Sequence, residues 1–154
     1  MTNIWWIVLG MTVAAVLVAC AYRPWRRRKD AALLNKSRKL FHQRREWLEA
    51  RFLSLASKSG KPRGLSWTDC DFEDDVTLAK NQKTGELHAF VGVSIKFEAI
   101  EGGGMEDVEA VANRKLASAV FCFDGKEWTT EGRAIFNLNP SEAVEHYHLN
   151  PINT

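Results

Sequence analysis

Residues 87–98 read LHAFVGVSIKFE and carry the clearest alternation of side chains in this chain of 154 residues. Side chains of a β-strand point in turn to opposite faces of a sheet, so a repeat of two predicts a strand with one apolar face. The apolar positions of this strand are Leu87, Ala89, Val91, Val93, Ile95 and Phe97. The stretch is therefore the clearest strand in the chain, and one of its faces is wholly apolar.

Strand candidates lie on both sides of this stretch. Val76–Lys80 is predicted to pair with it across Asn81–Gly85, and Leu65–Phe72 is a weaker strand candidate. Beyond the central strand, Lys115–Phe123 and Lys126–Leu138 are the next two candidates. The whole pattern predicts an antiparallel meander.

The Asp124-Gly125 pair between the last two candidates is a strong hairpin signal, because both residue types tolerate positive φ. Its register stays open. A two-residue loop places Trp128 opposite Phe121, whereas a slip of one residue places it opposite Cys122.

Before the sheet, Asp30–Ser57 is predicted to form one long helix that ends in the turn around Gly60. Pro24 is expected to interrupt the helix register upstream of it. One broad apolar face comprises two rows, Leu34, Phe41, Leu48 and Leu55, and Leu33, Leu40 and Trp47. We expect this face to pack against the apolar face of the central strand.

A short helix is predicted near the C-terminus. Asn139 has the residue type of an N-cap, Pro140 suits the first helical position, and Glu142 suits the third. Asn150-Pro151 is expected to end this segment.

The order of a long helix followed by an antiparallel meander resembles the cystatin-like and nuclear-transport-factor-like architecture. The resemblance covers residues 30–138 and concerns element order alone. It implies an α+β fold in which a curved sheet wraps a helix, and it implies no activity.

The N-terminal run Ile4–Tyr22 contains no Asp, Glu, Lys, Arg or His. As a helix it would be about 28 Å long, which is close to the thickness of the hydrocarbon core of a bilayer. The run therefore predicts a single transmembrane helix that acts as an uncleaved signal-anchor.

The flanks of the run predict its orientation. Basic residues follow the run and none precede it, so the positive-inside rule places the N-terminus outside and the domain in the cytoplasm. The residues predicted to lie at the membrane interface are Trp5, Trp6, Tyr22, Trp25, Arg26, Arg27, Arg28 and Lys29. The alternative is a lipoprotein lipidated at Cys20, because Leu17-Val18-Ala19-Cys20 resembles a lipobox.

The resulting organisation has four parts. Residues 1–23 form the anchor, 24–29 a basic juxtamembrane segment, 30–149 a single α+β domain, and 150–154 a tail. Through Arg63 the chain has 14 Lys and Arg against 3 Asp and Glu, and from Gly64 onward 7 against 16. The basic half is suited to anionic lipid headgroups, and the acidic half argues against nucleic acid.

No stretch predicts a catalytic, metal or cofactor site. The Gly102–Gly104 run lacks the spacing of a phosphate loop and is interpreted as a connection, so Gly103→Ala is expected to be tolerated if φ is negative. Asp69–Asp75 begins like a calcium loop but has Asp74 where the turn needs glycine. His146 and His148 are spaced wrongly for a shared metal on a helix.

Three cysteines without regular spacing predict no disulfide framework, and neither Cys70 nor Cys122 has an identifiable histidine partner in the sequence. The function that follows is a membrane-anchored, non-enzymatic interaction module with an unidentified protein partner. The alternative is a tethered domain that binds a small ligand or acts as an enzyme. A pocket that contained Asp, Glu or His would favour this alternative.

Overall fold

The computed structural model describes residues 2–59, 63–108 and 113–152, with the side chains of residues 2–4, 7, 19, 21 and 23–30 outside the description. The chain divides into two units, residues 1–39 and residues 40–154. The elements are α1 (Thr2–Gln43), α2 (Arg45–Lys58), β1 (Leu65–Lys80), β2 (Leu87–Ala99), β3 (Lys115–Phe123), β4 (Trp128–Thr129), β5 (Ala134–Phe136), α3 (Pro140–His146) and β6 (Asn150–Pro151). The fold is α+β with an antiparallel sheet, as the sequence predicts.

The sheet has the strand order β4-β3-β2-β1-β6, and β5 also pairs with β3. Strand β2 lies in the middle and pairs along its length with both β1 and β3. Residues opposite each other in an antiparallel pair share a face. We call the face with Ala89, Val91 and Phe121 the inner face, and the face with His88, Phe90 and Cys122 the outer face.

Strand β1 is one strand of 16 residues rather than two separate candidates. It includes the whole acidic stretch Asp69–Asp75, which extends beyond the weaker strand candidate Leu65–Phe72. Two register shifts, between Trp67 and Asp69 and between Phe72 and Val76, accommodate that stretch as bulges. Because β6 pairs with β1 only at Ala79 and Lys80, the acidic residues lie on an edge of the sheet, where charged side chains oppose pairing with another chain.

The hairpin after β3 has a register that differs from both predicted alternatives. Phe123 pairs with Trp128, so four residues, Asp124 to Glu127, form the loop. The Asp124 carboxylate accepts hydrogen bonds from the backbone N–H groups of Lys126 and Glu127, at 2.8 Å each. An Asp side chain that bonds ahead in this way stabilises a longer turn than the Asp-Gly pair alone indicates.

The predicted strand Lys126–Leu138 is divided into β4 and β5. Between them, the buried Thr130 hydroxyl donates to the Val120 carbonyl at 2.8 Å and accepts from the Gly132 N–H. Gly132 has a φ of 72°, a conformation that glycine adopts without strain. This turn lies between β4 and β5, so the pairing of this segment with β3 is interrupted rather than continuous.

The helical segment before the sheet also differs from the prediction. Helix α1 continues through Pro24, because a proline removes one backbone hydrogen bond without necessarily ending a helix. The single predicted helix is instead interrupted at Arg44, whose φ and ψ are −110° and 11°. The next residue, Arg45, donates to the Asp74 carbonyl at 2.6 Å and to the Glu73 carbonyl. The spacing of apolar residues along a helix does not predict such contacts with a distant strand, so the interruption was not predictable from the sequence.

The inner face of the sheet packs on α2 and on the last residues of α1. The Phe41 ring lies 5.4 Å from that of Phe121 and 5.1 Å from that of Trp128, centroid to centroid. Leu48 and Phe52 are fully buried, whereas Trp47 is half exposed. The apolar positions of β2 are all buried, which confirms the predicted face, while Phe52 replaces Trp47 as a core residue.

The outer face is partly covered by α3. Ala143 and Val144 of this helix form a second buried cluster with Ala79 and Phe90 of the sheet. The predicted start of the helix is confirmed, since the Asn139 side chain accepts from the Glu142 N–H and the Glu142 carboxylate accepts from the Asn139 N–H, both at 2.9 Å. This arrangement is a capping box.

In the first unit, the described apolar side chains of α1 are widely exposed. Trp5 and Trp6 are more than two-thirds exposed, and Tyr22 is about half exposed. Within the described part of the chain, none of the helices has the length and apolar character required to cross a bilayer.

Candidate functional site: a pocket on the outer face of the sheet

A cavity of about 190 Å³ opens on the outer face beside α3. Phe90, Val120 and Leu149 provide its apolar wall. Its polar lining consists of Asn81, His88, Cys122, Glu131, Arg133 and Tyr147. A cavity with an apolar wall and a few polar groups has the character of a ligand-binding site, although ordinary drug-sized sites begin near 300 Å³.

The pocket contains a thiol next to an imidazole. His88 on β2 and Cys122 on β3 are directly opposite in the register, and the Cys122 Sγ atom lies 3.4 Å from His88 Nδ1. Both side chains are half-buried. The structure thus joins Cys122 to a histidine that the sequence analysis did not identify as its partner.

The environment of this pair opposes its ionisation. Burial raises the pKa of the Cys122 thiol, and the nearby Glu131 and Glu86 carboxylates raise it further, whereas Arg133 lowers it. Burial lowers the pKa of His88, against an opposite effect of Glu86. A nucleophilic cysteine requires a thiolate, which forms when the thiol pKa is depressed. Both shifts favour the neutral thiol and the neutral imidazole, which can hydrogen-bond to each other or to a ligand.

Arg133 and Tyr147 are a second pair of contacting side chains in the pocket lining. The guanidinium carbon lies 4.9 Å from the centroid of the Tyr147 ring, and the guanidinium donates a hydrogen bond to the tyrosine hydroxyl. Stacking and hydrogen bonding together restrict the orientation of the guanidinium. None of the carboxylates in the described ranges lies within 4.0 Å of Arg133.

The acidic stretch of β1 forms ion pairs with the Arg114 side chain. Arg114 donates to the Asp69 carboxylate at 2.8 Å and also to the Asp71 carboxylate. Between the two aspartates, burial raises the pKa of Cys70 to about 11, and both carboxylates contribute. The calcium-loop interpretation is not supported, because this stretch is extended in β1 and pairs with β2.

The glycine-rich connection makes a contact that the sequence analysis did not predict. A Cβ atom at Gly103 would lie 2.9 Å from the Gly64 Cα and 2.8 Å from the Ile100 carbonyl oxygen. Both distances are shorter than real Cβ contacts. The expected tolerance of Gly103→Ala is thus wrong, because backbone atoms that cannot move aside occupy the space.

The remaining candidate positions are not brought together. His146 ends α3, and His148 lies beyond it with a φ of 52°. Across residues 2–59, 63–108 and 113–152, no group of three His, Cys, Asp or Glu side chains is placed to hold a metal ion. All three cysteines are free.

The predicted interface residues lie in α1. Trp5, Trp6 and Tyr22 are exposed, and the side chains of Trp25 and Arg26–Lys29 lie outside the described part of the chain. Comparison with protein-family models, with curated proteins and with solved structures found no match for this chain.

Proposed function

We propose that this chain is a membrane-anchored, non-enzymatic binding module whose domain faces the cytoplasm. The observation that supports a binding role is the outer-face pocket, where the thiol of Cys122 and the imidazole of His88 adjoin in an environment that favours their neutral forms. A neutral thiol and a neutral imidazole can both form hydrogen bonds with a bound partner, which supports a binding role.

The support for an anchor comes from the sequence. Ile4–Tyr22 has nineteen residues without an ionisable Asp, Glu, Lys, Arg or His, and Arg26–Lys29 follows it. The proposed orientation follows from the basic residues after the run, which favour the cytoplasmic side.

The proposed partners follow from charge. The basic segment Arg26–Lys29 is suited to anionic lipid headgroups, where each cation contributes about 1 kcal/mol. The acidic distal half favours a protein partner over nucleic acid. The element order, with α2 on one face of an antiparallel sheet, supports the proposed likeness to cystatin-like and nuclear-transport-factor-like architectures.

Topology and partner capture test this proposal. An impermeant thiol reagent should label Cys70 and Cys122 only after the cells are permeabilised, and in intact cells external protease should leave the domain intact. The mature mass should correspond to the uncleaved chain. A mature chain that begins at Cys20, or a domain digested from outside, would support the lipoprotein alternative and would overturn the cytoplasmic assignment.

Affinity capture of the detergent-solubilised full-length protein tests the interaction role. We expect a protein that co-purifies in defined proportion and that is lost when the pocket is blocked by Val120→Trp. A variant with Leu116→Trp is a suitable control, because Leu116 is also on the outer face of β3 but is 65 % exposed. Equal capture by both variants would place the interaction elsewhere.

The second candidate function is binding of a small ligand by the same domain. It is favoured by the presence of His88 and Glu131 in the pocket lining, since ionisable groups around an apolar cavity are typical of ligand sites.

A further inference from the structure

We infer that the outer-face pocket binds a small organic acid, with the apolar body of the ligand against Phe90, Val120 and Leu149 and its carboxylate on Arg133. This inference rests on the second candidate function above, binding of a small ligand, and names the ligand class of that pocket. It does not depend on the anchor or on the orientation of the domain.

The size of the cavity limits the ligand. A volume of about 190 Å³ equals the liquid volume of roughly six water molecules. Such a space accommodates one ring or a short branched chain with a single polar group. It is too small for a nucleotide or another ligand of drug size.

The wall of the pocket requires an apolar body. Phe90 is fully buried between β1 and β3, and Val120 and Leu149 are half-buried around it. These three side chains belong to or pack against the cluster under α3, so the wall is part of a packed core. An apolar group placed there covers the remaining exposed surface of Val120 and Leu149, whereas Phe90 has almost no surface left to bury.

Arg133 provides the polar recognition group. Its hydrogen bond to Tyr147 uses one of five donors, and its stack on the Tyr147 ring holds the planar group in place. A guanidinium that presents two parallel donors matches a carboxylate. The described carboxylates leave it without an ion pair, so an incoming acid does not have to displace one.

The opposing charges are Glu131 in the pocket lining, two residues before Arg133, and Glu86, whose carboxylate acts on both His88 and Cys122. Both side chains are exposed, and water therefore screens their repulsion of an anion. Arg133 is also exposed, but its guanidinium is preorganised by Tyr147, whereas Glu131 has no described hydrogen-bond partner that orients it toward the cavity. Anionic, neutral and cationic probes of the same shape therefore test whether attraction by Arg133 or repulsion by the carboxylates dominates.

The experiment uses Cys122 as a reporter within the pocket. The full-length protein in detergent carries Cys20→Ser and Cys70→Ser, and the rate of alkylation of Cys122 by iodoacetamide is measured with and without sodium benzoate. Benzyl alcohol and benzylamine are the matched neutral and cationic probes. A ligand with a dissociation constant of about 1 mM, present at about 10 mM, occupies roughly 90 % of the sites and slows alkylation about tenfold.

We expect benzoate to slow alkylation most, benzyl alcohol less and benzylamine least. Arg133→Gln should abolish the difference between benzoate and benzyl alcohol, while Arg63→Gln, an exposed arginine outside the pocket, should preserve it. Arg133→Lys should retain part of the preference for benzoate, because lysine keeps the positive charge but lacks the two parallel N–H donors of a guanidinium. Melting curves of each variant establish that the comparison is made on folded protein.

Three results would overturn the inference. Equal protection by benzoate and benzyl alcohol would show that the site reads only apolar shape, and stronger protection by benzylamine would assign recognition to Glu131. Absence of protection by all three probes would show that the pocket does not bind ligands of this size. None of these results bears on membrane insertion, so they are distinct from a failure of the proposed topology.

Discussion

Single residues determine how closely the segment before β1 approaches the segment after β2. Gly64 and Gly103 meet through their backbones, with the Gly103 carbonyl oxygen 2.7 Å from the position of a Cβ atom on Gly64. Ile100 N–H also donates to the Gly64 carbonyl at 2.9 Å. A glycine-rich segment that sequence pattern presents as a linker is therefore a close backbone contact.

We predict that Gly103→Ala destabilises the domain by about 1–3 kcal/mol, because the added methyl group overpacks against backbone. Gly102→Ala is the comparison: nothing lies within 4 Å of its Cβ position, but its φ is 77°, a strain of about 1–2 kcal/mol. Denaturant titration of both variants measures the difference. A Gly103→Ala variant as stable as the unsubstituted protein would show that the two segments are not in contact.

Cys70 should respond to pH as a thiol of high pKa. Burial and the carboxylates of Asp69 and Asp71 raise its pKa from 9.0 to about 11. Its alkylation rate should therefore continue to rise beyond pH 9, and Asp71→Asn should lower the pKa. Asp75→Asn is the control, since Asp75 does not contribute to the shift.

The same shift determines how stability depends on pH. An unfolded chain ionises Cys70 near its ordinary pKa of 9.0, whereas the folded chain retains the proton until about pH 11. In this window the unfolded state binds fewer protons, so the free energy of unfolding falls as pH rises. A stability that increased between pH 9 and pH 11 in a Cys20→Ser, Cys122→Ser background would contradict the assigned environment.

At the scale of elements, α3 is important because it covers the outer face and borders the pocket. Its N-terminus depends on the Asn139 side chain, which accepts from Glu142 N–H at 2.9 Å. We predict that Asn139→Ala costs about 1 kcal/mol of stability, the ordinary value of an N-cap. Ser141→Ala, an exposed position in the same helix, should change stability by only a few tenths of that amount, and thermal melting measures both.

The packing of α2 on the inner face is tested by a buried charge. Val93 is 1 % exposed and lies between Phe72 and Ala117 in the sheet. Val93→Asp would bury a carboxylate without a partner and should cost several kcal/mol, a large part of the stability of a domain. Leu116→Asp on the exposed outer side of β3 should be tolerated. Similar melting temperatures for the two variants would mean that the faces are assigned the wrong way round.

The elements were predictable to different degrees. The alternation of β2 and the signals at Asn139 and Glu142 involve neighbouring residues, and both predictions are confirmed. The predictions of one uninterrupted helix and of a shorter turn after Phe123 are wrong. The interruption at Arg44 and the four-residue turn each depend on a hydrogen bond between a side chain and a backbone group that competes with regular structure.

At the scale of the whole molecule, the basic segment next to the apolar run is predicted to set orientation. Changing all four residues of Arg26–Lys29 to Gln should increase the fraction of molecules whose domain is accessible from outside. The matched control neutralises Arg63, Lys83, Lys96 and Lys126, which lie far from the run. Protease accessibility in intact cells gives the fraction, and an unchanged orientation after the first substitution would contradict the proposed role of the segment.

Residue spacing alone was sufficient for the α+β class, the central strand and its apolar face, because these depend on periodicity and on the hydrophobic effect. The pairing of His88 with Cys122 was not predictable, although both lie in predicted strands. Their adjacency depends on the register between β2 and β3, which the long connection over residues 100–114 leaves undefined in the sequence. Only the folded sheet brings the imidazole, the thiol and Arg133 around one cavity, since they come from three separate segments of the chain.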